Sequence, residues 1–293
     1  RSSDLSILHS IKPVKISRVN EGLADYPTGK TVVVKWNSCD GMEIEGLLTY
    51  PASYKKGKKY PLLLIVHGGT TGIFVKDFIG NSTNYPVALF ASEGFAVLRC
   101  NIRGSDGYGI NFRKAALMDL GGMDYQDLMS GVDYVINMGV ADKDRLGVMG
   151  WSYGGYMAAW IITQTRLFKA ASVGAGIANL VSAQGTTDLQ ILYPDYFGCQ
   201  FWENPDLYIK RSPLFNIKGV TTRTLILHGE NDNIVPVSQG YELYNALKGQ
   251  NVPVEMAVYP RSGHNISEPV LALDLMTRNL IWFRKYVLES PSL

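Results

Sequence analysis

The chain has 293 residues, of which 46% are hydrophobic and 18% charged; this suits one large buried core or two small ones and excludes a disordered chain. A net charge of +2, with no basic run or basic amphipathic helix, argues against a nucleic-acid or membrane partner. The three cysteines, Cys39, Cys100 and Cys199, are far apart and form no CxxC pair, which excludes a disulfide framework or cysteine-rich zinc site and favours a reducing, cytoplasmic setting.

Residues 1–30 are polar and irregular and end in Pro27-Thr28-Gly29, so they read as a lead-in to a domain covering 31–293. The chain opens at Arg1 without a signal peptide, which reads as a processed chain or a piece of a longer one. Strands are predicted at Thr31–Trp36 and Glu43–Tyr50, joined by a polar turn at Cys39-Asp40-Gly41. Tyr60–His67 is a continuous apolar run, the pattern of a strand buried on both faces. A short glycosylation sequon, Asn81-Ser82-Thr83, follows. A helix is expected over Asn84–Glu93, a strand over Phe95–Asn101 and an amphipathic helix over Met123–Met138. Arg145–Gly150 reads as a strand, Tyr153–Thr165 as a helix and Ala170–Ala175 as a strand. Residues 176–222 are rich in aromatic residues and show no clear period, the mark of a functional segment or an insertion. Thr224–His228 and Val254–Tyr259 are the last strands; Val237–Lys248 and Glu268–Leu288 are helices. Strands alternating with helices predict a mostly parallel sheet covered on both faces. No apolar run reaches the roughly 18 residues needed to span a bilayer.

The stretch Gly150-Trp151-Ser152-Tyr153-Gly154 fits G-x-S-x-G between a predicted strand and a predicted helix. That setting suits a serine projecting from a strained turn, with glycines where backbones crowd and a helix N-terminus that favours negative charge. A serine needs a base. Of the four histidines, His9 lies in the lead-in and His67 and His228 end strands. His264, in the loop between the last strand and last helix, is the candidate base. The loop after Thr224–His228 offers an orienting carboxylate, with Asp232 the better candidate and Glu230 the weaker one. The resulting order, Ser152, Asp232, His264, is that of α/β-hydrolases. An oxyanion needs donors, and these are expected from the backbone N–H of Tyr153 and from the His67-Gly68-Gly69 loop, at Gly69 or alternatively Gly68.

Nucleotide motifs fail. Ala24–Thr31 approaches a P-loop but starts with alanine, and Gly174-Ala175-Gly176 lacks its third glycine, with Asn179 in its place. No histidine pair has metal-ligand spacing, so neither metal nor cofactor is expected.

These motifs resemble the catalytic domain of the prolyl oligopeptidase family, most of all its acylaminoacyl-peptidase and dipeptidyl-peptidase-like branches. The resemblance runs from about Thr31 to Leu288 and rests on YPLLLIVHGG from Tyr60, NIRGSDGYG from Asn101, GWSYGGYMA from Gly150, RSPLFNI from Arg211, LHGENDNIVP from Leu227 and YPRSGH from Tyr259. It implies an α/β-hydrolase fold with a mostly parallel sheet of about eight strands and helices on both faces. It also implies a serine peptidase with Ser152 as nucleophile, Asp232 as orienter, His264 as base, and Gly69 and Tyr153 at the oxyanion hole. A β-propeller commonly precedes the domain in this family, and KISRVNEGLADYP from Lys15 resembles the joining stretch. The expected partners are a small peptide or ester substrate and an upstream propeller or second copy of the chain. Ile234 stands where acylaminoacyl peptidases often carry an arginine, a departure from their substrate clamp. A carboxylesterase is the alternative reading, and a non-catalytic binding protein on this fold the third.

Overall fold

The computed structural model describes Val14, Ile16, residues 21–77 and residues 84–288. The sequon at Asn81 lies outside the described residues, as does most of the lead-in, of which Glu21–Asp25 forms a 3₁₀ turn.

The strands are β1 (Thr31–Asn37), β2 (Glu43–Thr49), β3 (Tyr60–Val66), β4 (Ala96–Asn101), β5 (Ala141–Trp151), β6 (Ala170–Gly174), β7 (Arg223–Gly229) and β8 (Val254–Tyr259). They form one eight-stranded sheet in the order β1-β2-β4-β3-β5-β6-β7-β8. β2 pairs antiparallel with both β1 and β4, and every other neighbouring pair is parallel. The helices are α1 (Val87–Ser92), α2 (Ile110–Lys114), α3 (Met123–Asn137), α4 (Tyr153–Gln164), α5 (Leu180–Thr186), α6 (Leu192–Phe197), α7 (Pro205–Arg211), α8 (Ser238–Gly249) and α9 (Pro269–Phe283).

The buried run of β3 serves two cores because successive side chains point to opposite faces. Leu62, Leu64 and Val66 face a core built with Leu128 and Val132 of α3, Met157 and Ile161 of α4 and Leu243 of α8. Leu63 and Ile65 face the other, built with Phe90 of α1 and Leu275 and Phe283 of α9. Edge strand β1 instead buries Val34 and Trp36 and exposes Val33 and Lys35, as a strand covered on one side should.

Three expectations change in detail. The helix predicted from Asn84 starts at Val87, because Pro86 disfavours helical geometry at the residue before it. The segment 176–222 is not irregular but holds three short helices, α5 to α7, and a 3₁₀ turn at Pro213–Asn216. Asn179 and Asn204 cap α5 and α7 with their side chains, yet at seven residues each these helices are too short to display a period. The closing helix ends at Phe283 and continues as a π-helical turn, Arg284–Leu288.

β3 and β5 are neighbours, but the chain leaves β3 toward β4 and leaves β5 toward β6. Such a switch point opens a crevice beyond the carboxyl ends of the two strands. Val66 ends β3 opposite Gly150 near the end of β5, which sets the Gly68-Gly69 loop across from Ser152.

Candidate active site

Ser152 sits between β5 and α4 with φ 61° and ψ −121°, a left-handed conformation that costs a non-glycine residue about 1–3 kcal/mol. Its N–H donates to the Gly174 carbonyl at 2.9 Å and its carbonyl accepts from Tyr156 N at 2.9 Å, so both sides of the turn are held. The flanking glycines are required by close approach. A Cβ on Gly150 would strike the Gly154 backbone, one on Gly154 the Val66 carbonyl, and one on Gly155 the Gly174 carbonyl. Helix α4 can therefore lie directly on the sheet with its N-terminus beneath the serine.

Asp232 and His264 come from loops at the ends of β7 and β8. Backbone bonds stitch these loops together, from Glu230 N to Tyr259 O at 2.9 Å and from Asn231 N to Ser262 O at 2.8 Å. The Asp232 carboxylate accepts at Oδ1 from Ile234 N (3.0 Å) and Val235 N (2.9 Å), which leaves Oδ2 to meet His264 Nδ1 at 2.7 Å. A carboxylate only accepts, so Nδ1 carries the proton and Nε2 is left with its lone pair. The indole Nε1 of Trp151, the residue before Ser152, donates to the His264 carbonyl at 2.9 Å and ties the histidine loop to the serine turn. Glu230, the weaker acid candidate, instead accepts from Arg261 N at 3.1 Å on the exposed side of the loop.

His228 lies under this pair. It is fully buried, its Nε2 donates to the Val235 carbonyl at 2.7 Å, and burial lowers its pKa, so it stays neutral. His67 has a matching task across the crevice. Its Nδ1 is 3.2 Å from the carbonyls of both Gly68 and Gly69, and its Nε2 is 2.9 Å from Ser105 Oγ. Carbonyls cannot donate, so Nδ1–H is the donor and Nε2 accepts from the serine. In a trans peptide the N–H points opposite to the C=O. Holding the two carbonyls on His67 therefore turns the N–H groups of Gly69 and Thr70 away from the ring. Sequence reasoning gave His67 no such task; its place beside the glycine pair was the available signal.

The NIRGSDGYG motif braces the same loop. Besides Ser105, Asp106 N donates to the Thr71 carbonyl at 3.2 Å. Arg103 is buried against Asp127, with Nε–Oδ2 2.9 Å and Nη2–Oδ1 2.8 Å, and reaches Asp40 at 2.9 and 3.0 Å. This cluster joins the β1–β2 turn, the loop after β4 and helix α3. Removing Arg103 or Asp127, its two buried members, would leave buried charge unpaired, at a cost of about 3–5 kcal/mol, whereas Asp40 is exposed.

A largely apolar cavity of about 160 Å³ opens beside Ser152. Its lining includes Gly69, Thr70, Tyr153, Ile177, Tyr193 and Ile234. Tyr193 comes from the 176–222 segment, so that segment walls the cavity. Among the described residues, no group of three or more His, Cys, Asp or Glu side chains could hold a metal ion. Nor is any described helix long and apolar enough to cross a membrane.

The profile of the prolyl oligopeptidase family matches residues 81–290. The chain belongs to the prolyl oligopeptidase family. Its relatives include the uncharacterized peptidase YuxL of Bacillus subtilis, 36% identical over 80% of this chain and 35% of that protein. The acylamino-acid-releasing enzyme of Arabidopsis thaliana is 31% identical over 96% of this chain and 36% of its own length. Among solved structures, the acylaminoacyl peptidase of Pyrococcus horikoshii superposes with a TM-score of 0.86 at 28% identity, covering 94% of this chain and 44% of its own. This prolyl oligopeptidase family chain thus spans about a third of the curated relatives it matches and less than half of the solved chains.

Proposed function

We propose that this protein is a serine peptidase that cleaves short peptides through an acyl-enzyme on Ser152. The observation that carries the reading is the 2.7 Å bond from His264 Nδ1 to Asp232 Oδ2, in a loop tied by Trp151 to a strained serine turn. Ser152 Oγ attacks the scissile carbonyl and His264 Nε2 takes its proton, with Asp232 holding the tautomer and stabilising the imidazolium. The N–H groups of Gly69 and Tyr153 donate to the oxyanion. His264 then gives the proton to the leaving amine, and water releases the acyl group by the same route in reverse.

The cavity beside Ser152 would take an apolar side chain next to the scissile bond. In keeping with this, a solved neighbour, an acylaminoacyl peptidase with a TM-score of 0.86 to this chain, was captured with Z-Gly-Gly-Phe-chloromethyl ketone. A β-propeller joined through the lead-in, restricting entry to short peptides, belongs to the same proposal.

Labelling with a fluorophosphonate, followed by turnover of peptidyl arylamides and matched aryl esters, tests the reading. Labelling at Ser152 with arylamide turnover is expected. Absence of labelling would refute the enzyme, and ester turnover alone would assign a carboxylesterase.

A further inference from the structure

Tyr153 carries more than a backbone donor. Its ring is buried and its hydroxyl donates to Asp124 Oδ2 at 2.6 Å. Asp124 lies in the first turn of α3 and is fully buried. Its other bonds are also accepted ones, from Gly121 N to Oδ2 at 3.0 Å and from Tyr125 N to Oδ1 at 2.8 Å. Three donors and no acceptor converge on this group, an arrangement that suits a carboxylate and not an amide. Among the described residues no cation bonds to it: the neighbouring Arg211 pairs with Asp119 at 2.5 Å. The triad does not use this buried carboxylate, and the hydroxyl it holds belongs to the residue whose N–H faces the oxyanion.

We infer that Asp124 is a positioning residue of the reaction, anchoring Tyr153 by its hydroxyl so that the Tyr153 N–H keeps its aim at the oxyanion. The inference rests on the serine-hydrolase reading of the same site. Tyr153 is the first residue of α4, directly after the strained Ser152, so the start of this helix has no preceding turn to hold it. An oxyanion donor must lie about 2.7–3.1 Å from the developing charge. A tether from the ring's far end to α3 fixes the residue at two points. The tether also depends on charge. Burial pushes the Asp124 carboxyl up to about 6, while the bonds from Tyr153, Gly121 and Tyr125 oppose the rise. The ionisable groups around it are Asp119 on the preceding loop, Tyr153 and Tyr156 of α4, and Arg211 of α7, which is paired with Asp119. Protonation near pH 6 removes the negative charge that makes the Tyr153 hydrogen bond charge-assisted and so weakens the tether.

The variants Y153F, D124N and Y153F/D124N test this, with the whole chain assayed on a peptidyl arylamide and inhibited by a peptide aldehyde that forms a tetrahedral adduct. Each single change is expected to lower kcat by about 10- to 100-fold with little change in KM, short of the 10²–10³ lost when a donor is removed outright. Aldehyde affinity should fall by the same factor. The double variant should be no worse than the weaker single, because both remove one tether. The ratio of wild-type to Y153F kcat should shrink toward one as pH falls through about 6, because only the wild type has this tether to lose. Y153F removes only an oxygen atom, so it carries the test if D124N fails to fold. Wild-type kcat and aldehyde affinity in Y153F would overturn the inference while leaving the hydrolase reading intact. A wild type that neither labels with fluorophosphonate nor turns over substrate would overturn both.

Discussion

Asp232 divides its two oxygens between two tasks, and two substitutions separate them. In D232N, the side-chain oxygen can still accept from Ile234 N and Val235 N, so the loop keeps its shape. The amide NH₂ then faces His264 Nδ1 in place of Oδ2 and donates to it. The imidazole is forced to carry its proton on Nε2, the nitrogen that must take the proton of Ser152. The wrong tautomer lowers kcat by about 10⁴ in a triad of this kind, or about 5.4 kcal/mol of transition-state stabilisation. D232A loses that and also leaves the Ile234 and Val235 N–H groups without their acceptor; Val235 is buried and Ile234 exposed, so together they cost about 2–4 kcal/mol. Turnover of a peptidyl arylamide, read beside urea denaturation, distinguishes the two. D232N should be nearly inactive with a stability within about 1 kcal/mol of wild type, and D232A equally inactive but about 2–4 kcal/mol less stable. A D232N kcat within tenfold of wild type would refute the assignment of Oδ2 to the histidine. Equal loss of stability in both variants would refute the division of labour.

Two further outcomes follow from packing and burial. Ala at Gly155 would put a methyl into the backbone of Gly174 and Gly176, lifting α4 from β6; stability should drop by about 1–3 kcal/mol and fluorophosphonate labelling should slow. Gly185→Ala in α5, where nothing lies within 4 Å, is the control and should gain about 0.5–1 kcal/mol; equal behaviour of the two variants would sink the close-approach argument. For pH, burial lowers the pKa of both His67 and His228 from the ordinary 6.5, so below 6.5 the unfolded chain binds protons the folded chain refuses. Stability should therefore fall on acidification, by about 1.4 kcal/mol per pH unit for each histidine until its folded pKa is passed. Asp124, raised from 3.8 to about 6, acts in the opposite sense below about pH 6, where the folded chain binds the extra proton. With Asp124 offsetting one of the two histidines, urea titrations should show stability declining by at most about 1.4 kcal/mol per pH unit between pH 6 and 5, and a stability flat from pH 7 to 5 would contradict the burial of the histidines.

Much of the fold was legible because its signals are local. The buried run Tyr60–Val66, the alternation in β1 and the glycines around Ser152 announce strand, edge and turn without reference to distant residues. The helices of 176–222 were not legible, since one to two turns cannot express a period, and what holds them is packing into the main core: Tyr208 and Phe197, both fully buried, meet at 4.7 Å between ring centres. Sequence reasoning ranks Asp232 above Glu230 because Glu230 stands closer to the end of β7. In the structure Asp232 Oδ2 meets His264 Nδ1, while Glu230 accepts from Arg261 N.

What the sequence by itself determined is the order of the chemistry: a serine on a strand-to-helix turn, then an acid loop, then a histidine loop, each after a strand in a pattern that only a parallel sheet would bring to one edge. What only the tertiary structure decided is which groups support that chemistry from behind. The His67–Ser105 bond behind the glycine loop, the His228–Val235 bond beneath the acid loop and the Asp124–Tyr153 bond join residues 38, 7 and 29 positions apart, and the first and last of them link elements whose separation is set by the sheet. Nothing in a residue's neighbours along the chain states which buried donor will meet which buried acceptor. That pairing is fixed when water is excluded and every polar group left inside must find a partner.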